Sequence, residues 1–127
     1  MLFDGLSKVL CKGFPHELET MVQRVSKCIP HETFNNIRGR VSDDGHTYLH
    51  DNTIITVPYR IYSVEPAANE MEKLDHTEIM IFHCIYSRSY NGYIREKHIR
   101  SILSTDFPDW CIPYIVKVCD EYVVEIL

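Results

Sequence analysis

Residues 74–127 constrain the fold more than any other part of the chain, because their apolar side chains recur at helical spacing in three successive stretches. Asp75 followed three residues later by Glu78 has the form of a capping box, a reciprocal pair that satisfies backbone N–H groups at a helix start. Ile79, Phe82, His83 and Tyr86 then fall on one helical face, and Ser89-Tyr90-Asn91-Gly92 interrupts it. Ile94, Ile99, Ile102 and Leu103 form the apolar side of a second helix, with Arg95, Glu96, Lys97 and Arg100 turned to water. Thr105-Asp106-Phe107-Pro108 separates it from a third, where Trp110, Ile112, Ile115, Val116, Cys119, Val123, Ile126 and Leu127 are apolar almost all round. Such a helix is expected at the centre of a core, with Pro113 in its first turn; Val123-Val124 leave a terminal strand open.

The N-terminal half has to be accommodated around this unit. Leu2, Phe3, Leu6, Val9 and Leu10 predict a helix over residues 2–12, with Gly13 as its stop. Leu18, Met21, Val22, Val25 and Cys28 predict a second over residues 15–28, ended by Pro30, and the two should form a hairpin. Residues 31–40 read as a short helix in preference to the approach to a strand. Ser42-Asp43-Asp44-Gly45 is a turn, and His46–His50 and Thr53–Val57 read as two strands joined by Asp51-Asn52. Pro58 lacks a ladder donor, so the second strand ends there or lies at an edge. The expected architecture is mainly helical with a minor β part: an N-terminal helix pair and a β-hairpin packed on a C-terminal three-helix core, within a single domain.

A chain of 127 residues with 45% apolar and 24% charged side chains can bury one core and is unlike a disordered tail. Its apolar runs are too short to span a bilayer, and Met1-Leu2-Phe3-Asp4-Gly5 has no basic segment leading into an apolar one, so neither a membrane protein nor a secretory leader is expected. Five cysteines are an odd number without tight spacing; Cys111 and Cys119 would lie about 12 Å apart along a helix, too far for a disulfide. Reduced, mostly buried thiols and a cytoplasmic location are expected.

Charge placement narrows the partners. Residues 1–63 carry seven acids and seven bases, whereas residues 64–127 carry eleven acids and six bases, so the whole excess of −5 lies in the second half. A nucleic-acid binder would show a basic footprint instead, and an acidic domain favours a basic protein partner. No Cys-x-x-Cys, His-Glu-x-x-His, Gly-x-Ser-x-Gly or phosphate-cradling glycine loop occurs, so no metal, cofactor or catalytic residue is assigned. His46 and His50 share a strand face about 13 Å apart, too far to chelate one ion.

One local cluster stands out. Arg88, Tyr90, Tyr93, Arg95, Lys97, His98 and Arg100 interleave bases with aromatics around one turn and helix. Tyrosine is favoured at interfaces, so Tyr86, Arg88, Tyr90, Tyr93, Arg95 and Arg100 are the expected partner-binding residues. The leading expectation is a non-enzymatic protein-binding domain, one concrete form being a small acidic inhibitor of the immunity type. An RNA- or anion-binding module using the Arg/Tyr turn is the second reading and an unrecognised enzyme the third.

Asn91-Gly92-Tyr93-Ile94-Arg95, followed by Ile99 and Ile102-Leu103, resembles the second helix of a HEAT-type helical repeat. The likeness covers one unit, residues 75–103, with an imperfect second unit from Trp110; His98 stands where such repeats commonly have a small apolar residue. It implies paired-helix packing, with Arg95 bonded to a carboxylate or carbonyl of the turn.

Overall fold

A computed structural model describes residues 5–36 and 39–126. The chain is mainly helical with a small two-stranded antiparallel sheet. Helix α1 (Leu6–Cys11) and helix α2 (Glu19–Ser26) pack on each other, linked through a 3-10 turn at His16–Leu18. Strands β1 (Gly45–His50) and β2 (Thr53–Pro58) follow, then the single-turn helix α3 (Ala68–Met71). Helices α4 (His76–Tyr86), α5 (Gly92–Leu103) and α6 (Ile112–Ile126) follow, so the third expected helix forms and the strand left open at Val123-Val124 does not. Residues 2–4 of the first expected helix lie outside the described residues.

The strong local signals act as chemistry predicts. Asp75 Oδ1 accepts from the Glu78 backbone N–H at 2.9 Å, and Glu78 Oε1 accepts from the Asp75 N–H at 3.0 Å. Asn91 Oδ1 caps α5 by accepting from the N–H groups of Tyr93 and Ile94. The hairpin turns on Asp51 and Asn52, both left-handed at φ 48° and 63°, so the two-residue loop matches the twist of its strands. Its register pairs His50 with Thr53 and Gly45 with Pro58, and β2 ends at that proline.

One continuous core joins every layer. Leu10, Val22 and Val25 from the helix pair meet Ile55 and Val57 from β2, Ile81 and Ile85 from α4, Ile102 from α5 and Tyr114 from α6. The C-terminal helices share this core with the helix pair and β2.

Two expectations need correction. Residues 31–40, read as a short helix, form no α-helix among the described residues. A 3-10 turn at Phe34–Asn36, with Asn35 at φ 55°, interrupts the segment, and bridges Thr33–Ser63 and Val41–Ile61 lay it along the strand-like stretch after Pro58. Arg40 fixes the join by donating from Nη1 to the Ile29 carbonyl. Helix α6 is not enclosed all round, since Ile112 and Val116 are exposed while Tyr114 and Val118 on the other side are buried.

The five cysteines are free thiols, with Cys84 and Cys111 buried together and Cys119 exposed. Burial and the hydrogen bond with Cys111 push the Cys84 thiol well up, so it behaves as a small apolar side chain. No helix among the described residues is long and apolar enough to cross a membrane.

Candidate functional site

The turn between α4 and α5 divides the expected partner-binding residues into two groups. Tyr86 and Arg88 are fully buried, so neither presents a surface to a partner. Tyr86 lies on the inner face of α4 and donates its hydroxyl to the Val64 carbonyl at 2.8 Å; burial raises its phenol pKa. Arg88 turns inward just past the end of α4. Its Nε donates to the Pro58 carbonyl, its Nη2 to the Tyr59 carbonyl, and both Nη atoms reach the Glu121 carboxylate at 3.0 and 2.9 Å. Arg60 adds a bond to the same carboxylate at 2.7 Å. Burial alone would raise Glu121, but the hydrogen bonds and charge of Arg88, reinforced by Arg60, overcome it and hold the carboxyl at about 2. This guanidinium is a structural clamp between α6, β2 and the α4 end.

The other residues stay at the surface. Tyr93, in the first turn of α5, is 87% exposed, and Tyr90 is 45% exposed. Tyr90 is held in place by its ring neighbours, Tyr62 at 5.6 Å and Phe34 at 6.4 Å between centroids. Arg95 donates to the Ser89 carbonyl at 2.8 Å, the turn-carbonyl role expected of it. Arg100 pairs with Glu96 one turn back. The guanidinium groups of Arg88 and Arg95 are thus turned to internal partners, leaving the tyrosines and the Arg100–Glu96 pair as the outward chemistry.

The acidic half is also less available than its composition suggests. Glu65 pairs with Lys97 and His98, Glu70 with Lys73, Glu78 with Arg24, and Glu96 with Arg100, while Glu121 is clamped by two arginines. Exposed carboxylates in residues 64–121 are reduced to Glu72, Asp106, Asp109 and Asp120, with Asp75 working as a cap.

Sequence spacing gave no hint of one polar chain that the fold assembles. Glu65 Oε2 lies 2.6 Å from His98 Nε2, and His98 Nδ1 lies 2.8 Å from His83 Nδ1. Lys97 also donates to Glu65. A carboxylate can only accept, so neutral His98 carries its proton on Nε2, and its bare Nδ1 accepts from His83 Nδ1–H. Burial pushes His83 down to about 4, with the positive character of His98 and Lys97 adding to the effect. Burial also lowers His98, against the pull of Glu65. The rings pack on Phe82 and Tyr86, so the chain ties α4 and α5 to the loop at Glu65. Among the described residues no three His, Cys, Asp or Glu side chains converge as metal ligands.

A groove of about 660 Å³ runs between the helix pair and β2, lined by Lys8, Cys11, Lys12, Phe14, Ile54 and Thr56 among others. The outer hairpin face beside it carries Ile54 and its register partner Leu49, 71% and 75% exposed. Period-two alternation could have flagged this rung, since Leu49 and Ile54 fall on the opposite face from Tyr48 and Ile55. Comparisons with protein families, with curated proteins and with solved structures found no match to this chain.

Proposed function

We propose that the chain is a non-enzymatic protein-binding domain that presents the α4–α5 turn to a protein partner. Tyr93 carries the reading: a large aromatic side chain left 87% exposed at the start of a helix contributes little to folding. Tyr90, three residues earlier in the same turn, is braced by Tyr62 and Phe34, so that ring loses little side-chain freedom on binding. Arg100 lies further along the same helix and would serve at the rim. The internal bonding of Arg88, Arg95 and Arg100 favours this reading over an anion- or RNA-binding turn. Within the acidic half, an inhibitor of immunity type would act through Glu72, Asp106, Asp109 and Asp120, which form no ion pair among the described residues. A HEAT-like reading of residues 75–103 belongs to the same proposal, as a way of packing α4 against α5.

The test is quantitative affinity capture from cytosol with the wild-type chain and with Tyr93→Ala and Tyr90→Ala, after nuclease treatment. A protein retained stoichiometrically by the wild type and lost with Tyr93→Ala, while the variant stays folded, supports the proposal. Equal retention by both sinks it.

A further inference from the structure

The groove between α1, α2 and β2 has a chemistry of its own, and it shares no residue with the Tyr90/Tyr93 surface. Its floor is Phe14, rigidly held by stacking on Tyr114 at 5.2 Å and by an edge contact with Trp110 at 5.7 Å. One wall is the exposed side chain of Ile54; the opposite rim carries Lys8 and Lys12, one helical turn apart. Neither lysine is paired with a carboxylate among the described residues, whereas Arg24, Arg60, Lys73, Arg88, Lys97 and Arg100 each are. Among the described residues the one acid lining the groove, Glu19, faces His16 at 3.2 Å.

The backbone adds directional donors and acceptors. Thr56 N–H points away from β1 and donates to the Lys12 carbonyl at 2.8 Å. In an antiparallel pair the outward positions recur every second residue, so the N–H and C=O of Ile54 point the same way, into the groove. No backbone or side-chain group among the described residues takes up the Ile54 N–H. The groove therefore offers a short open strand edge, an apolar floor and a doubly positive rim.

The geometry points to a docking site for a short, extended, acidic segment of another protein. Its backbone would pair with the Ile54 edge as an added strand, one apolar side chain would rest on Phe14 and Ile54, and flanking carboxylates would meet Lys8 and Lys12. Charge complementarity selects this occupant over a neutral or basic peptide, and the groove's volume admits a short segment and not a folded domain.

The experiment is selection of a displayed heptapeptide library on the full immobilised chain, followed by titration of the enriched peptides by fluorescence anisotropy and amide NMR. The expected result is a consensus of Asp or Glu on either side of an apolar residue, with the Ile54 amide among the most shifted. Lys8→Glu combined with Lys12→Glu should weaken binding by about tenfold or more, as should raising salt several-fold. Ile54→Lys, at an exposed position where the fold is not at stake, should do the same, and Lys73→Glu should leave affinity unchanged. The proposal is overturned if the selected peptides are basic or without consensus, if they bind the charge-reversed chain equally, or if their shifts map to Tyr93. It is also overturned if sedimentation shows that the groove is closed by a second copy of this chain, released by Ile54→Lys.

Discussion

Tyr114 on α6 donates its hydroxyl to the carbonyl of Gly13 at 2.8 Å, joining residues 101 positions apart at the centre of the core. The approach is so close that a Cβ on Gly13 would collide with the Tyr114 hydroxyl and press on the Thr56 carbonyl. Glycine is required here for space, not for an unusual backbone angle. Gly13→Ala should cost about 1–3 kcal/mol in urea unfolding, as overpacking does in a closed core. Tyr114→Phe should cost about 1–3 kcal/mol by leaving the carbonyl without a donor. In the Tyr114→Phe background the Gly13→Ala penalty should shrink, because the colliding atom is gone. Strict additivity in this double-mutant cycle would show that the two residues do not meet.

The clamp of Arg88 and Arg60 on Glu121 gives an ordered set of costs. Glu121→Ala leaves the fully buried Arg88 guanidinium without its counter-charge and should lose about 3–5 kcal/mol. Arg88→Lys keeps the charge but loses the fork that serves two carbonyls and a carboxylate together, so it should also be strongly destabilising. Arg60→Ala removes the outer partner and should cost least. Chemical denaturation of the three variants fixes the order, and Arg60→Ala proving the worst would contradict the geometry.

Acid should lower the stability over two pH windows. His83 is held neutral by burial, at about 4 against an ordinary 6.5, so below pH 6.5 the unfolded chain binds a proton that the folded chain refuses. Stability is complete above pH 6.5 and falls as pH drops to about 4, by about 1–2 kcal/mol once partial exposure is allowed for. Glu121, at about 2 against an ordinary 4.5, adds a second loss between those values. Both shifts have the same sign: the unfolded state binds more protons, so stability rises with pH from about 2 to 6.5. His83→Gln should flatten the limb between pH 6.5 and 4 in a series of thermal melts while leaving the lower limb in place.

The elements that were legible in the sequence are those fixed by neighbours in the chain. Asp75 and Glu78 cap α4 with atoms three residues apart, Asn91 caps α5 within its own turn, and Asp51-Asn52 set the hairpin by their own backbone angles. The fate of the Arg/Tyr turn was not legible, because it depends on Glu121, which is 33 residues from Arg88 and carries no local signal. Nothing distinguishes Arg88 from Arg95 or Arg100 until the fold delivers that carboxylate. The same holds for His83 and His98, whose bond exists only because α4 packs on α5, and for Thr33 and Val41, whose bridge partners lie beyond the hairpin.

The hairpin loop can be improved. Asp51 and Asn52 both occupy the left-handed region, where Asn-Gly is the best-suited pair. Asn52→Gly relieves the Cβ strain at φ 63° and should stabilise by a few tenths of a kcal/mol up to about 1. Asn52→Val, a β-branched residue in the same place, should destabilise and weaken amide protection of Tyr48 and Ile55, which face each other in the ladder. Slower exchange at those amides in the valine variant would show that the loop does not set the register.

Tyr90 and Tyr93 should separate folding from surface function. Tyr93 is almost fully exposed, so Tyr93→Ala should change stability by less than about 0.5 kcal/mol. Tyr90 packs its ring on Tyr62 and Phe34, and Tyr90→Ala should cost about 1 kcal/mol by removing both contacts. Tyr90→Phe keeps those contacts and should restore the stability. A partner that depends on aromatic surface would then discriminate Tyr93→Ala from the wild type at equal thermal stability, and Tyr90→Phe would bind as the wild type does unless its hydroxyl is used. A large stability loss in Tyr93→Ala would instead assign that ring to the fold and remove the observation on which the binding surface rests.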